Sequence, residues 1–261
     1  MNTRKTEKTT NSRLFNKGIL PVAVATAMFG AGVASAADFY LTNDATITDL
    51  TSSYNATTDY QVNQNATLST NSSMSVYYGT IDGQGGVATG RGGTVTIGGN
   101  LTMHGNIGAT NATGNFTISE WNSLTLASNV STFNSDNMTL SDNTVLNFGN
   151  VTSGYNRGSS ETLTFASNIT MGSNSTINVG NGTTLNGNIY GTSDGAGTLN
   201  VLGNFTSGGS FGAAQVSGVD TILSKLEQIN ISKGNTFTLN HNATATRMNI
   251  NGTVTVAGNI T

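Results

Sequence analysis

The sequence predicts an all-β fold, a right-handed parallel β-helix (β-solenoid) of irregular repeats, and three observations carry that expectation. A ten-residue pattern recurs without gaps at residues 93–102 (GTVTIGGNLT), 122–131 (NSLTLASNVS), 161–170 (ETLTFASNIT), 197–206 (GTLNVLGNFT) and 252–261 (GTVTVAGNIT). In each copy the third and fifth positions are apolar between small or polar neighbours, the period-2 signature of a strand with one buried face. Charged residues make up 9% of the chain, and its one proline, Pro21, lies outside these repeats. Beyond residue 21 every backbone N–H is thus free to join a hydrogen-bonded ladder.

The eighth position of every copy is asparagine: Asn100, Asn129, Asn168, Asn204 and Asn259. Small residues precede it and one apolar residue follows. Asparagine is the non-glycine residue that best tolerates positive φ, so the unit reads as strand, tight corner, strand. One such unit cannot bury its apolar face alone, and stacked copies make a solenoid. The corner asparagines are expected to form a ladder, each amide bonded to its equivalents above and below. A row of glycan- or receptor-binding side chains is the functional alternative. Several asparagines also lie in N-x-S/T triplets, Asn55, Asn111, Asn150, Asn181 and Asn242 among them; in a chain rich in Asn and Thr these arise by composition.

In chain order, residues 1–36 read as a signal peptide. Arg4, Lys5, Lys8, Arg13 and Lys17 form a basic stretch, and residues 18–32 (GILPVAVATAMFGAG) are apolar but too short to span a bilayer. Ala34, Ser35 and Ala36 then supply a small-residue cleavage site. Its removal would leave five basic residues against twelve acidic ones, a net charge of −7. That balance disfavours nucleic acid and anionic lipid, both of which call for a basic surface. Having no cysteine, the chain cannot be a disulfide scaffold or a cysteine-type zinc site.

Residues 37–80 are expected to form an N-terminal cap and the first coils, with short alternating runs at 45–50, 60–68 and 73–78. Residues 81–261 are expected to carry the solenoid repeats. Glycine-dense residues 81–93 (IDGQGGVATGRGG) read as a corner; a calcium loop would need several aspartates, and Asp82 stands alone there. The five asparagines lie 29, 39, 36 and 55 residues apart. At roughly 20 residues per coil this implies about eleven coils with loops of variable length. Residues 217–229 (SGVDTILSKLEQI) place Val219, Ile222, Leu223, Leu226 and Ile229 at helical spacing behind an S-x-x-D cap. A short helix on the flank is expected there, with a pair of strands as the alternative.

No catalytic, cofactor or metal site emerges. His104 and His241 lie outside any metal-ligand spacing, and no serine sits in a G-x-S-x-G elbow. The acids Asp82, Glu120, Asp136, Asp142, Glu161 and Asp194 are scattered rather than paired as sugar cleavage requires. Trp121 beside Glu120 reads either as a sugar-stacking platform or, more commonly for a single tryptophan, as an unengaged surface residue.

Residues 194–212 (DGAGTLNVLGNFTSGGSFG), 105–111 (GNIGATN) and 231–239 (ISKGNTFTL) resemble the repeats of bacterial autotransporter passengers, in particular surface antigens of the rickettsial type. The likeness covers most of residues 80–261. It implies a β-helical passenger that acts as a surface adhesin or antigen, exported by a general secretion signal and carried to the outer-membrane surface or the extracellular space; the missing catalytic set makes it non-catalytic in expectation. The partners it implies are the passenger's own C-terminal outer-membrane barrel and a host surface protein or glycan. No terminal set of barrel strands is present, so a C-terminally truncated passenger is expected, with self-association through an open C-terminal edge. The rival expectations are a secreted solenoid enzyme acting on polysaccharide and a self-assembling surface-layer protein.

Overall fold

In a computed structural model, the residues described are 39–42, 44–47, 59–84, 92–148, 162–212, 214–216, 219–221 and 224–261. All fall within one compact unit, Ala34–Thr261. The signal-peptide expectation concerns residues outside this set.

The described elements are all strands, and with one exception they pair in parallel. They wind into stacked coils with three walls. The first wall begins with Phe39–Leu41, Tyr60–Val62 and Ile81–Gly83. It continues through Ile107, which bridges Ile81 to Phe133. The second begins with Ala45–Ile47, Thr67–Thr70, Thr94–Ile97 and Thr113–Ile118. Two nine-residue strands, Thr132–Leu140 and Leu163–Met171, pass through the bend between these walls, with a register shift between Asn134 and Asn137. Beyond them Thr183–Leu185, Phe205–Ser207, Thr236–Leu239 and Thr253–Val256 extend the first wall. The second wall narrows to Ile189–Gly191 and then to single bridges at Phe211, Ala243 and Ile260. The third is an eight-stranded sheet from Val76–Tyr77 to Ala245–Ile250.

Alternation decides which side chains enter. Strand after strand shows buried residues separated by partly exposed ones, as in Thr198–Val201 and Thr176–Val179. The interior is lined by Leu, Ile, Val and Phe. Because equivalent residues stack, aromatic rings meet from coil to coil: Phe133 lies on Phe165 at 4.3 Å between ring centroids and Phe205 on Phe237 at 5.4 Å, each pair inclined by 8°. Phe116 and Phe148 meet the first pair edge-on. Such contacts add to simple area burial.

The coil-to-coil step varies from 17 residues (Thr244 to Thr261) to 32 (Asn204 to Thr236). At the corners glycine is required where walls close on each other: a Cβ on Gly105 would lie 1.7 Å from the carbonyl oxygen of Gly79 in the coil below. The last coil carries Ile250, Val256 and Ile260 exposed at 39–49%, whereas Ile231, Leu239 and Ala243 one coil earlier are buried.

Of the span 217–229 in which a helix is expected, residues 217–218 and 222–223 lie outside the described set, and the described part is not helical. Val219–Thr221 pairs antiparallel with Ala214–Val216, and Leu226–Ile231 joins the third wall against Thr198–Val201. The apolar positions fit both periods. Val216, Val219 and Thr221 are β-branched and favour strands, and Leu226, Ile229 and Ile231 gain a ready-made register against the preceding coil.

Candidate functional site

The five aligned repeats occupy three different corners. Residues 93–102 turn from the second wall to the third, 122–131 and 197–206 from the third to the first, and 161–170 and 252–261 from the first to the second. The eighth-position asparagines therefore do not stack on one another. Asn168 lies within the strand Leu163–Met171, because that strand runs through the bend instead of stopping there.

Their amides serve other bonds. Asn204 Oδ1 accepts from the Thr236 N–H at 2.9 Å, and Asn168 Oδ1 from the Asn188 N–H at 3.1 Å. Asn100 Oδ1 accepts from Ser123 Oγ, Asn129 Nδ2 donates to the His104 carbonyl, and the Asn259 N–H donates to Asn242 Oδ1. A corner leaves backbone donors outside any sheet, and a side-chain acceptor one coil below takes them up.

The side-chain ladder forms elsewhere, in the middle of the third wall. Asn178 donates to Asn147, Asn200 to Asn178, Asn230 to Asn200 and Asn249 to Asn230, each Nδ2 to Oδ1 at 2.8 Å. Asn147 Nδ2 closes the row on Thr125 Oγ1 at 3.0 Å. The signal for it was present as an apolar-Asn-apolar tripeptide: Leu146-Asn147-Phe148, Ile177-Asn178-Val179, Leu199-Asn200-Val201, Ile229-Asn230-Ile231 and Met248-Asn249-Ile250.

The first wall presents threonine in the equivalent outward place. Thr132, Thr164, Thr184, Thr206, Thr238 and Thr255 follow one another in register. In the neighbouring column Gly182 falls between Thr162 and Asn204, and these residues line a groove of about 250 Å³ together with Thr184, Thr206 and Thr238. Threonine also dominates the second wall, through Thr96, Thr117, Thr139 and Thr170. These columns are neutral, so what they offer a ligand is hydroxyls, methyls and amides in a regular array.

The acids are spread along the coils, most of them as corner acceptors. Asp82 accepts from the Thr110 N–H at 3.0 Å, Asp142 from Ser173 at 2.7 Å and Asp194 from Lys225 at 3.0 Å. Asp44 and Asp59 do the same for Thr67 and Thr80. Glu161 lies outside the described residues. Among the described residues no group of three or more His, Asp or Glu side chains converges as a metal site would require. His104 stacks on Tyr78 at 4.5 Å, its Nδ1 3.2 Å from Asn129 Oδ1. His241 is half-buried at another corner.

Two tyrosines are perturbed. Burial raises Tyr60 above its ordinary value, and raises Tyr77 further, with smaller contributions from Tyr60 and Asp59 beside it. Both phenols stay neutral inside the amino-terminal coils.

Trp121 is 74% exposed at the corner from the second wall to the third, with φ of 63°. Comparison of the chain with protein-family models, with curated proteins and with solved structures finds no match.

Proposed function

We propose that this chain is an exported, non-catalytic β-solenoid displayed at a bacterial cell surface, the passenger of an autotransporter-type surface antigen, and that it works as an adhesin. The observation that carries this reading is the neutral threonine array and groove of the first wall, built from successive coils. Such an array suits attachment over an extended area rather than a reaction at one point, because affinity adds up over repeated weak polar contacts. The corner acids support it. Asp82, Asp142 and Asp194 each hold a backbone N–H of the next coil and lie on different coils, rather than as the facing carboxylate pair that sugar cleavage uses. The basic and apolar leader of residues 1–36 supports export, and the host surface protein or glycan remains the implied partner.

The test is protease treatment of intact native cells, with a periplasmic protein as the integrity control. The surface reading expects the solenoid to be lost while the control survives. Full retention of the solenoid on intact cells, with degradation after lysis, would overturn it.

A further inference from the structure

The corner from the second wall to the third is made by a recurring four-residue turn. In the turn 119–122 the Asn122 N–H donates to the Ser119 carbonyl, in 172–175 Ser175 donates to Gly172, and in 193–196 Ala196 donates to Ser193. In the turn 141–144 it is Thr144 Oγ1 that donates to the Ser141 carbonyl. Each has its third residue at positive φ: Asn143 at 57°, Asn174 at 56° and Gly195 at 81°. The same turn at the next corner, 232–235, has Gly234 at 82°. Positive φ favours glycine or asparagine at that place, and the turn 71–74 at the same corner, where Met74 N–H donates to the Asn71 carbonyl, carries Ser73 there outside the positive-φ region. In the turn 119–122 the place is taken by Trp121, at φ 63°. A bulky residue there is held against its own backbone preference, and strain of that kind gathers at binding and catalytic positions.

The strain yields no packing in return, since the indole is 74% exposed. Its surroundings select a ligand. The adjacent coil presents Asn143, whose Oδ1 accepts from Asn174 Nδ2 one coil further on, so amides run along the corner from the indole. The backbone N–H of Trp121 donates to the backbone carbonyl of Asp142 at 3.4 Å, which sets the two turns side by side. These turns carry the carboxylates Glu120 and Asp142 and no cation, which repels an anionic ligand. No other exposed large apolar side chain belongs to them, whereas a protein-binding hot spot needs a dry apolar surround.

We propose that Trp121 is the platform of a saccharide-binding site. An uncharged sugar ring lies on the indole face, and the amides of Asn143 and Asn174 bind hydroxyls of the same chain of sugars along the corner. This rests on the surface-adhesive reading and names the class of ligand.

Trp121 is the only tryptophan of the chain, so intrinsic fluorescence reports on this site alone. The full chain is titrated with uncharged oligomers of glucose, mannose and N-acetylglucosamine, and with oligogalacturonate as the anionic probe. The expected result is a saturable fluorescence change with at least one uncharged oligomer and none with oligogalacturonate. Calorimetric titration of Trp121→Asn should then show binding weakened more than tenfold while the thermal midpoint rises, and Trp121→Phe should retain part of the affinity. A structural role for the indole would instead lower the midpoint. The proposal is overturned if no uncharged oligomer binds, if oligogalacturonate binds as well, or if Trp121→Asn binds undiminished or melts earlier. The surface reading is judged separately: a solenoid that binds no sugar but is shaved from intact cells keeps that reading and loses this one.

Discussion

Removing one rung of the asparagine ladder should cost an amount that depends on where the rung stands. Asn200 donates to Asn178 and accepts from Asn230, both at 2.8 Å, while Asn249 makes, among the described residues, the single ladder bond to Asn230. A net hydrogen bond contributes about 1 kcal/mol, and the half-exposed partners left behind can turn to water. Asn200→Ala should therefore lose about 2 kcal/mol and Asn249→Ala about 1 kcal/mol or less. Urea unfolding of both variants beside the parent, read by linear extrapolation, measures the difference. Asn200→Asp sharpens the test, because the amide donor becomes an acceptor facing Asn178 Oδ1. Its protonated form can donate and its charged form cannot, so the folded pKa rises above the unfolded value of about 3.9. The sign follows: relative to the parent, the variant is least impaired below about pH 4 and loses stability as pH rises through the folded pKa. Equal losses for the middle and end rungs, or a loss below about 0.5 kcal/mol for Asn200→Ala, would refute the ladder as a stabilising element.

Two further outcomes follow from buried groups. Tyr60 and Tyr77 have raised pKa values, so the unfolded chain releases their protons first; stability is intact below the ordinary tyrosine value of 10.0 and falls as pH climbs above it. An alkaline unfolding scan should show this loss beginning above pH 10, and Tyr77→Phe should flatten it; an unchanged alkaline arm would contradict the burial of that phenol. Thr113 Oγ1 is buried without a hydrogen-bond partner among the described residues. Thr113→Val, nearly isosteric, should raise stability by about 1 kcal/mol in the same denaturation assay, and a loss of that size would mean the hydroxyl is bonded.

The strands were legible from alternation alone, because a period of two states which side chains enter a core. Alternation does not say which of three walls a strand joins. That is why one decapeptide, plain in the sequence, serves all three corners, and why its copies are spaced by 29, 39, 36 and 55 residues while the coils advance by 17 to 32. The ladder was misplaced for a related reason. The corner asparagines meet mixed partners, a backbone donor for Asn204, a hydroxyl for Asn100, a carbonyl for Asn129, and for Asn168 both the N–H and the side-chain amide of Asn188, whereas Asn147, Asn178, Asn200, Asn230 and Asn249 sit in the middle of strands whose parallel register brings like against like. At 217–229 the apolar spacing satisfied both helix and strand, and the coil already in place decided. The strain at Trp121 could not be read from the sequence, since it becomes visible only when its turn is compared with those stacked beside it.

The abundance of asparagine and aspartate thus has a structural cause that narrows the search for function. Among the described residues, several corners expose N–H groups that neither flanking sheet uses, and an amide or carboxylate one coil below supplies the acceptor, as Asp142 does for Ser173, Asn188 for Ser210 and Asn204 for Thr236. Lysine or glutamate would reach past the donor, and serine would offer a weaker acceptor; a short branched oxygen acceptor is what the spacing selects. Most polar residues that might have seemed available for chemistry are therefore committed to holding one coil to the next. Among the described residues, the outward threonines of the first two walls and the exposed Trp121 stand outside that set of corner bonds. A side chain that neither packs nor connects, and that costs the backbone its preferred conformation, has its explanation outside the chain.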